Sequence, residues 1–98
     1  MRFEWDKKKE KKNIKKHGVS FKEAVEIFDD AFLESKLDKR FDYFEERWIS
    51  VGSTKDGKAL IAAHLYLMTE SGEDVIRILS ARETTKKERK DHEKKRSF

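Results

Sequence analysis

The sequence predicts an α+β fold, an antiparallel β-sheet meander with two N-terminal helices and a C-terminal helix. Three observations predict it. Apolar runs from Glu45 to Gly52, Lys58 to Thr69 and Val75 to Arg82 follow one another across short connections, as antiparallel neighbours do. Two segments before these runs and one after them open with helix-start signals. Helical and extended segments are also segregated along the chain, where an α/β fold would alternate them.

The N-terminal Arg2-Phe3-Glu4-Trp5 alternates polar and aromatic residues, so it reads as a short strand with Phe3 and Trp5 on one face. Asp6 is an N-cap for a helix running to about Lys16, which Gly18 closes in the left-handed conformation. Ile14 is that helix's one apolar residue, so burial cannot hold it and it should lie on the surface as a basic ridge. Ser20 and Glu23 form a capping box for a second helix. In it Phe21, Ala24, Val25 and Phe28 recur at i, i+3, i+4 and i+7, and Phe21, Val25 and Phe28 are the expected core. Asp29-Asp30 end it.

The stretch 31–44 carries the weakest signal: Ala31-Phe32-Leu33 can start a strand, and Ser35 to Lys39 reads as an exposed loop. Trp48, Ile49 and Val51 are the apolar positions of the first meander strand, and Asp56-Gly57 sits in the loop that reverses the chain. The run L-I-A-A-H-L-Y-L-M, residues 60–68, suits a central strand, and His64 within it reads as a hydrogen-bonded core histidine. Ser71-Gly72-Glu73-Asp74 turns the chain into the last strand. Thr85 and Glu88 form a T-x-x-E capping box that starts the final helix at about Lys86. The last few residues read as a disordered tail.

A chain of 98 residues is expected to form a single domain, residues 1–98, around one modest core. With 36% hydrophobic and 45% charged residues the core must be small and the surface densely ionic, while eleven aromatic residues argue against disorder. The absence of cysteine excludes disulfides and thiolate metal sites. His17, His64 and His92 are too widely spaced for a zinc pattern, so neither metal nor cofactor is expected. No apolar run reaches the roughly 18 residues of a membrane span, and the N-terminus is charged where a signal peptide would be apolar. A cytoplasmic protein is the expectation.

The net charge of +4 conceals an asymmetry. Residues 1–17 carry eight Lys/Arg against three Asp/Glu, residues 82–98 eight against four, and the middle eight against thirteen. If the ends meet in the fold they make one basic surface, which attracts a polyphosphate backbone or an acidic protein.

The segment Val75–Arg89 joins a strand to a helix and holds the clearest chemistry. Arg77 and Arg82 lie on the strand, and Glu88 and His92 are one turn apart on the helix. Cations on a rigid strand, facing a titratable pair, can hold a phosphodiester and move its protons. Because their separation is odd, Arg77 and Arg82 should face opposite sides unless a bulge intervenes.

Several motifs, in order, resemble the BrnT family of type II toxin–antitoxin toxins. They are F-E-W-D at Phe3–Asp6, N-I-K-K-H-G-V-S-F-K-E-A at Asn13–Ala24, and Phe28-Asp29. E-E-R at Glu45–Arg47, I-R-I-L-S-A-R at Ile76–Arg82 and E-R-x-x-H-E at Glu88–Glu93 complete the series. The resemblance implies a RelE-like fold, a toxin that cuts RNA and arrests growth, and a cognate BrnA-like antitoxin. That antitoxin would be of ribbon-helix-helix type, and its complex with the toxin would bind operator DNA. The chain departs from the family pattern at His92, where tyrosine is usual, and in lacking an arginine among Leu65–Glu70.

Metal-free RNA cleavage needs a base for the 2′-hydroxyl proton, an acid for the leaving 5′-oxygen, and cations for the phosphorane. Arg82 is the expected cation, its planar fork being matched to phosphate oxygens; the plainer reading is a salt bridge to Glu88. His92 is the expected acid or base, since the reference pKa of the histidine side chain, about 6.5, is close to working pH, and Glu88 would orient it or act as base. An ordinary i,i+4 surface pair is the alternative. His17, in the family block, joins the catalytic candidates, against a plain helix C-terminal role. Glu46 and Arg47 extend the site unless they form a cross-strand ion pair. Lys8, Lys12, Lys15, Lys16, Arg77 and Arg89 are the expected RNA-binding charges. A catalytically degenerate member, serving as antitoxin-binding co-repressor, is the other reading.

Overall fold

A computed structural model describes residues 1–40 and 45–96; the expected C-terminal tail falls on residues 97–98, outside the described ones. The elements are β1 (Arg2–Glu4), α1 (Lys7–His17), α2 (Phe21–Val25), a 3₁₀ turn (Glu26–Asp29), β2 (Glu34–Leu37), β3 (Trp48–Ser53), β4 (Ala59–Met68), β5 (Asp74–Glu83) and α3 (Lys86–Arg96). The caps sit where the sequence puts them. Asp6 accepts the Lys8 and Lys9 amides, Gly18 adopts a φ of 71°, and Thr85 and Glu88 bond each other's amide at the start of α3.

The expected meander β3-β4-β5 forms the middle of a five-stranded sheet in the order β1-β5-β4-β3-β2. Its two edges carry what local pattern does not reveal. β1 joins β5 in parallel, with Phe3 opposite Ile76. β2 pairs antiparallel with β3, so Ser35 to Leu37 are strand where a loop was expected. An edge strand with solvent beside it can be polar, and this one is tied inward by a 2.6 Å hydrogen bond between Ser35 Oγ and Ser50 Oγ. β3 starts at Trp48, so Glu46 and Arg47 precede the strand.

One face of the sheet is covered by α2 and the 3₁₀ turn, while α1 lies along the outer edge of β5. Val19, Phe21, Ala24 and Ile27 pack there on Leu60, Ala62, Ile76, Ile78 and Ala81. The expected Val25 and Phe28 are only partly buried, whereas Ile27 is fully buried. The turn to 3₁₀ geometry explains the exchange, since with three residues per turn Ile27 falls directly beneath Ala24.

Gly52 lets this layer close. A Cβ there would lie 3.0 Å from both Cβ and the carbonyl oxygen of Ile27. Gly52→Ala is therefore expected to cost about 1–3 kcal/mol by overpacking, read as a lowered urea midpoint with an unchanged slope.

His64 is the core histidine expected, fully buried with Nε2 2.6 Å from Ser50 Oγ and its ring edge-on to Phe28. Burial pushes its pKa down to about 4, so the folded protein holds it neutral. The unfolded chain binds the proton more readily. Stability from this group is complete above about pH 6.5 and is lost as pH falls towards 4, on the order of 3 kcal/mol. His64→Gln should flatten that slope in denaturation curves taken from pH 7 to 4; an unchanged slope would show that other groups set it.

Candidate functional site

The second face of the sheet, crossed by α3, is otherwise open among the described residues. On β5 the register with β4 slips by one residue, from Ala63–Ser80 to His64–Ile78, which leaves Leu79 as a bulge. Arg77 and Arg82 stand opposite Leu65 and Ile61, four residues apart on β4, so the bulge brings both arginines to this open face.

Only Arg82 reaches the hollow there. The hollow has a volume of about 700 Å³ and a floor of Ile49, Ile61, Ala63 and Ser80. Its walls carry Lys36, Lys39, Arg40, Arg82 and His17, with Asp38 and Glu88 as the carboxylates. Both carboxylates are gripped by arginines: Asp38 by Arg40 at 2.9 and 3.0 Å, and Glu88 by Arg82 at 2.9 and 3.0 Å. The two pairs offset one another in charge, so the lining keeps the net positive charge of Lys36 and Lys39 at one concave place.

Arg82 uses one edge of its guanidinium on Glu88, and Nη1 also donates to the Glu83 carbonyl at 3.0 Å. Of its five N–H groups, those on Nε and one on Nη2 stay directed away from these acceptors. The side chain is 41% exposed, so that edge is accessible from the hollow. The salt-bridge reading and the phosphate reading of Arg82 are compatible. The Arg82 hydrogen bonds, with the Thr85 amide, pull the Glu88 carboxyl down to about 2. Glu88 is therefore a fixed anion that aims Arg82, and a weak proton acceptor at neutral pH.

His17 lines the hollow from the C-terminus of α1. Its place is set one turn earlier by Asn13, which the sequence reading passed over. Strand β1 covers the outer edge of β5 only as far as Arg77. Beyond it the Asn13 amide stands in for a strand, accepting the Ala81 N–H at 3.1 Å and donating to the Ala81 carbonyl at 2.8 Å. The same amide donates to the Val19 carbonyl at 2.8 Å. A lone uncharged amide among the lysines of α1 was the available signal.

His92 is elsewhere. A smaller cleft of about 380 Å³ adjoins the hollow and shares Lys36, Ile49, Ile61 and Glu88 with it. At its edge His92 is 4% exposed, with Nδ1 2.6 Å from Glu34 Oε1 and Nε2 3.9 Å from Asp30 Oδ2. The expected Glu88–His92 pair does not form, because Glu88 turns to Arg82 and His92 to β2. Burial between carboxylates removes the imidazole from reach of a molecule in the hollow.

Of the remaining candidates, Arg77 is paired with Glu4 at 3.0 Å and Arg89 with Glu93 at 3.1 Å. Glu46 and Arg47 line neither the hollow nor the adjoining cleft. Lys8, Lys12, Lys15 and Lys16 are exposed along α1. Lys36, Lys39 and Arg40 were missed because the segment reads as loop until β2 pairs with β3. Among the described residues no group of three or more His, Asp or Glu is gathered as a metal would require, and no helix is long and apolar enough to cross a membrane.

The fold matches the crystal structure of the Brucella abortus ribonuclease toxin BrnT with a TM-score of 0.60. The match spans 88% of this chain and 99% of that one at 19% identity, so the likeness is one of fold. No curated protein matches the sequence. The family is decided by residues 5–88, which match the family model described as ribonuclease toxin, BrnT, of type II toxin-antitoxin system; the chain belongs to that family.

Proposed function

We propose that the chain is a metal-independent endoribonuclease toxin that cleaves RNA by attack of a 2′-hydroxyl on the adjacent phosphate. The observation that carries this reading is the hollow walled by Lys36, Lys39, Arg40 and Arg82, next to an exposed imidazole. The RNA phosphate sits on the floor with its non-bridging oxygens towards the open edge of Arg82. The 2′-oxygen loses its proton to a base and bonds to phosphorus, and charge gathers on the phosphorane, where the guanidinium and lysines stabilise it. The bond to the 5′-oxygen breaks, that oxygen takes a proton, and a 2′,3′-cyclic phosphate remains.

His17 is the residue type suited to proton transfer near neutrality and lies on the wall. Glu88 holds Arg82 in line. The α1 lysines Lys8, Lys12, Lys15 and Lys16 draw the backbone in by charge. A BrnA-like antitoxin, presenting acidic groups to the same surface, neutralises the toxin. The burial of His92 favours one second reading, a member without catalysis that serves as co-repressor in a DNA-binding complex.

The test is cleavage of a defined RNA by the purified chain, with and without EDTA and with added antitoxin. Cleavage that persists in EDTA, ends in a cyclic phosphate and stops with antitoxin is expected. Cleavage that requires added magnesium would overturn the mechanism, and intact RNA throughout would leave the co-repressor reading.

A further inference from the structure

Helix α3 has no Leu, Ile, Val, Phe or Met between Lys86 and Arg96. A helix polar on all sides is not held by apolar burial. Within residues 86–94 the one buried side chain is His92. Its Nδ1 lies 2.6 Å from Glu34 Oε1 on β2, and its Nε2 faces Asp30 Oδ2 at 3.9 Å. Asp30 is itself fixed, accepting the Ser53 amide at 2.7 Å and the Phe32 amide at 2.9 Å. One turn earlier on the same helix, Glu88 grips both terminal nitrogens of Arg82 on β5.

We infer that His92 is a positioning residue, pinning α3 to the β2 side of the sheet so that Glu88 holds Arg82 at the angle the hollow requires. The helix spans the open face between two anchors, Glu88 on β5 and His92 on β2. With the second anchor gone, α3 pivots on its Thr85 cap, and the Glu88 carboxylate no longer meets the guanidinium edge-on. His92 then acts on RNA cleavage without touching RNA. The effect on cleavage rests on the proposed ribonuclease reading; the effect on α3 and Glu88 does not.

The test compares the wild-type chain, His92→Ala, and the double variant His92→Leu with Glu34→Leu, which replaces the hydrogen-bonded anchor with an apolar one. In His92→Ala, amide exchange in α3 should accelerate about tenfold or more while the sheet is unchanged. The Glu88 carboxyl, followed by NMR titration, should move up towards the ordinary carboxylate range. The rate of cleavage should fall about 10- to 100-fold through kcat, with the shape of the pH–rate profile retained. The apolar pair should restore α3 protection, the depressed Glu88 titration and most of the rate. An unmoved Glu88 titration in His92→Ala would overturn the inference, as would a profile that loses one limb and stays low in the apolar pair, because the imidazole would then be transferring protons itself. If the wild type cleaves no RNA, the ribonuclease reading fails, and the exchange and titration results still decide the anchor.

Discussion

Arg82→Ala is expected to lower RNA cleavage by about two to three orders of magnitude and to relieve growth arrest. In the proposed mechanism Arg82 is the wall cation whose partner on α3 leaves it an open donor edge, so its loss would remove both charge and directed N–H groups from the phosphorane. The fold should survive. The Arg82–Glu88 pair is half-exposed, and exposed pairs contribute little to stability. Arg82→Lys should recover little, because a single ammonium cannot grip both Glu88 oxygens and present a second edge to phosphate. Glu88→Gln keeps the cation but loosens its aim, so a loss nearer tenfold is expected. Initial rates on a defined RNA, with melting curves for every variant, separate catalysis from folding. Full activity in a folded Arg82→Ala protein would remove Arg82 from the mechanism.

Asn13→Ala should produce the largest loss of stability, about 3 kcal/mol or more. Its amide satisfies the N–H and carbonyl of Ala81 and the carbonyl of Val19, all within a buried joint between α1 and β5. Truncation strands those groups without solvent, and each costs on the order of 1 kcal/mol or more. Against a total of roughly 5–15 kcal/mol for a domain of this size, that is a major share. Asn13→Asp keeps the acceptor for the Ala81 amide but loses both donated bonds, so it should not rescue. Urea denaturation followed by tryptophan fluorescence gives the values. A midpoint unchanged in Asn13→Ala would mean that α1 is held by other contacts. The same variant frees the C-terminal end of α1, so cleavage should fall along with stability if His17 takes part.

The two variants mark different degrees of legibility. Arg82 stood out because a cation at the end of an apolar strand, just before a capping box, has a recognisable local setting. Asn13 did not, since its role lies in bonds to residues six and sixty-eight positions away. The same holds for His92. Its spacing from Glu88 suggested a surface pair, but Glu34, fifty-eight residues away, was the closer partner. The odd separation of Arg77 and Arg82 pointed to opposite faces, and a one-residue bulge at Leu79 reversed that parity.

What the chain determined by sequence alone was its local grammar and its family. Asp6, Ser20 and the Thr85–Glu88 box accept amides within three residues, Gly18 donates to the Ile14 carbonyl four residues back, and the three apolar runs needed only short turns to become a meander. The tertiary structure alone decided the edges of the sheet, the entry of Lys36, Lys39 and Arg40 into the hollow, and the burial of His92. Those outcomes depend on which distant backbone and carboxylate groups are left needing partners once the sheet has closed, and no local pattern of residues records that need.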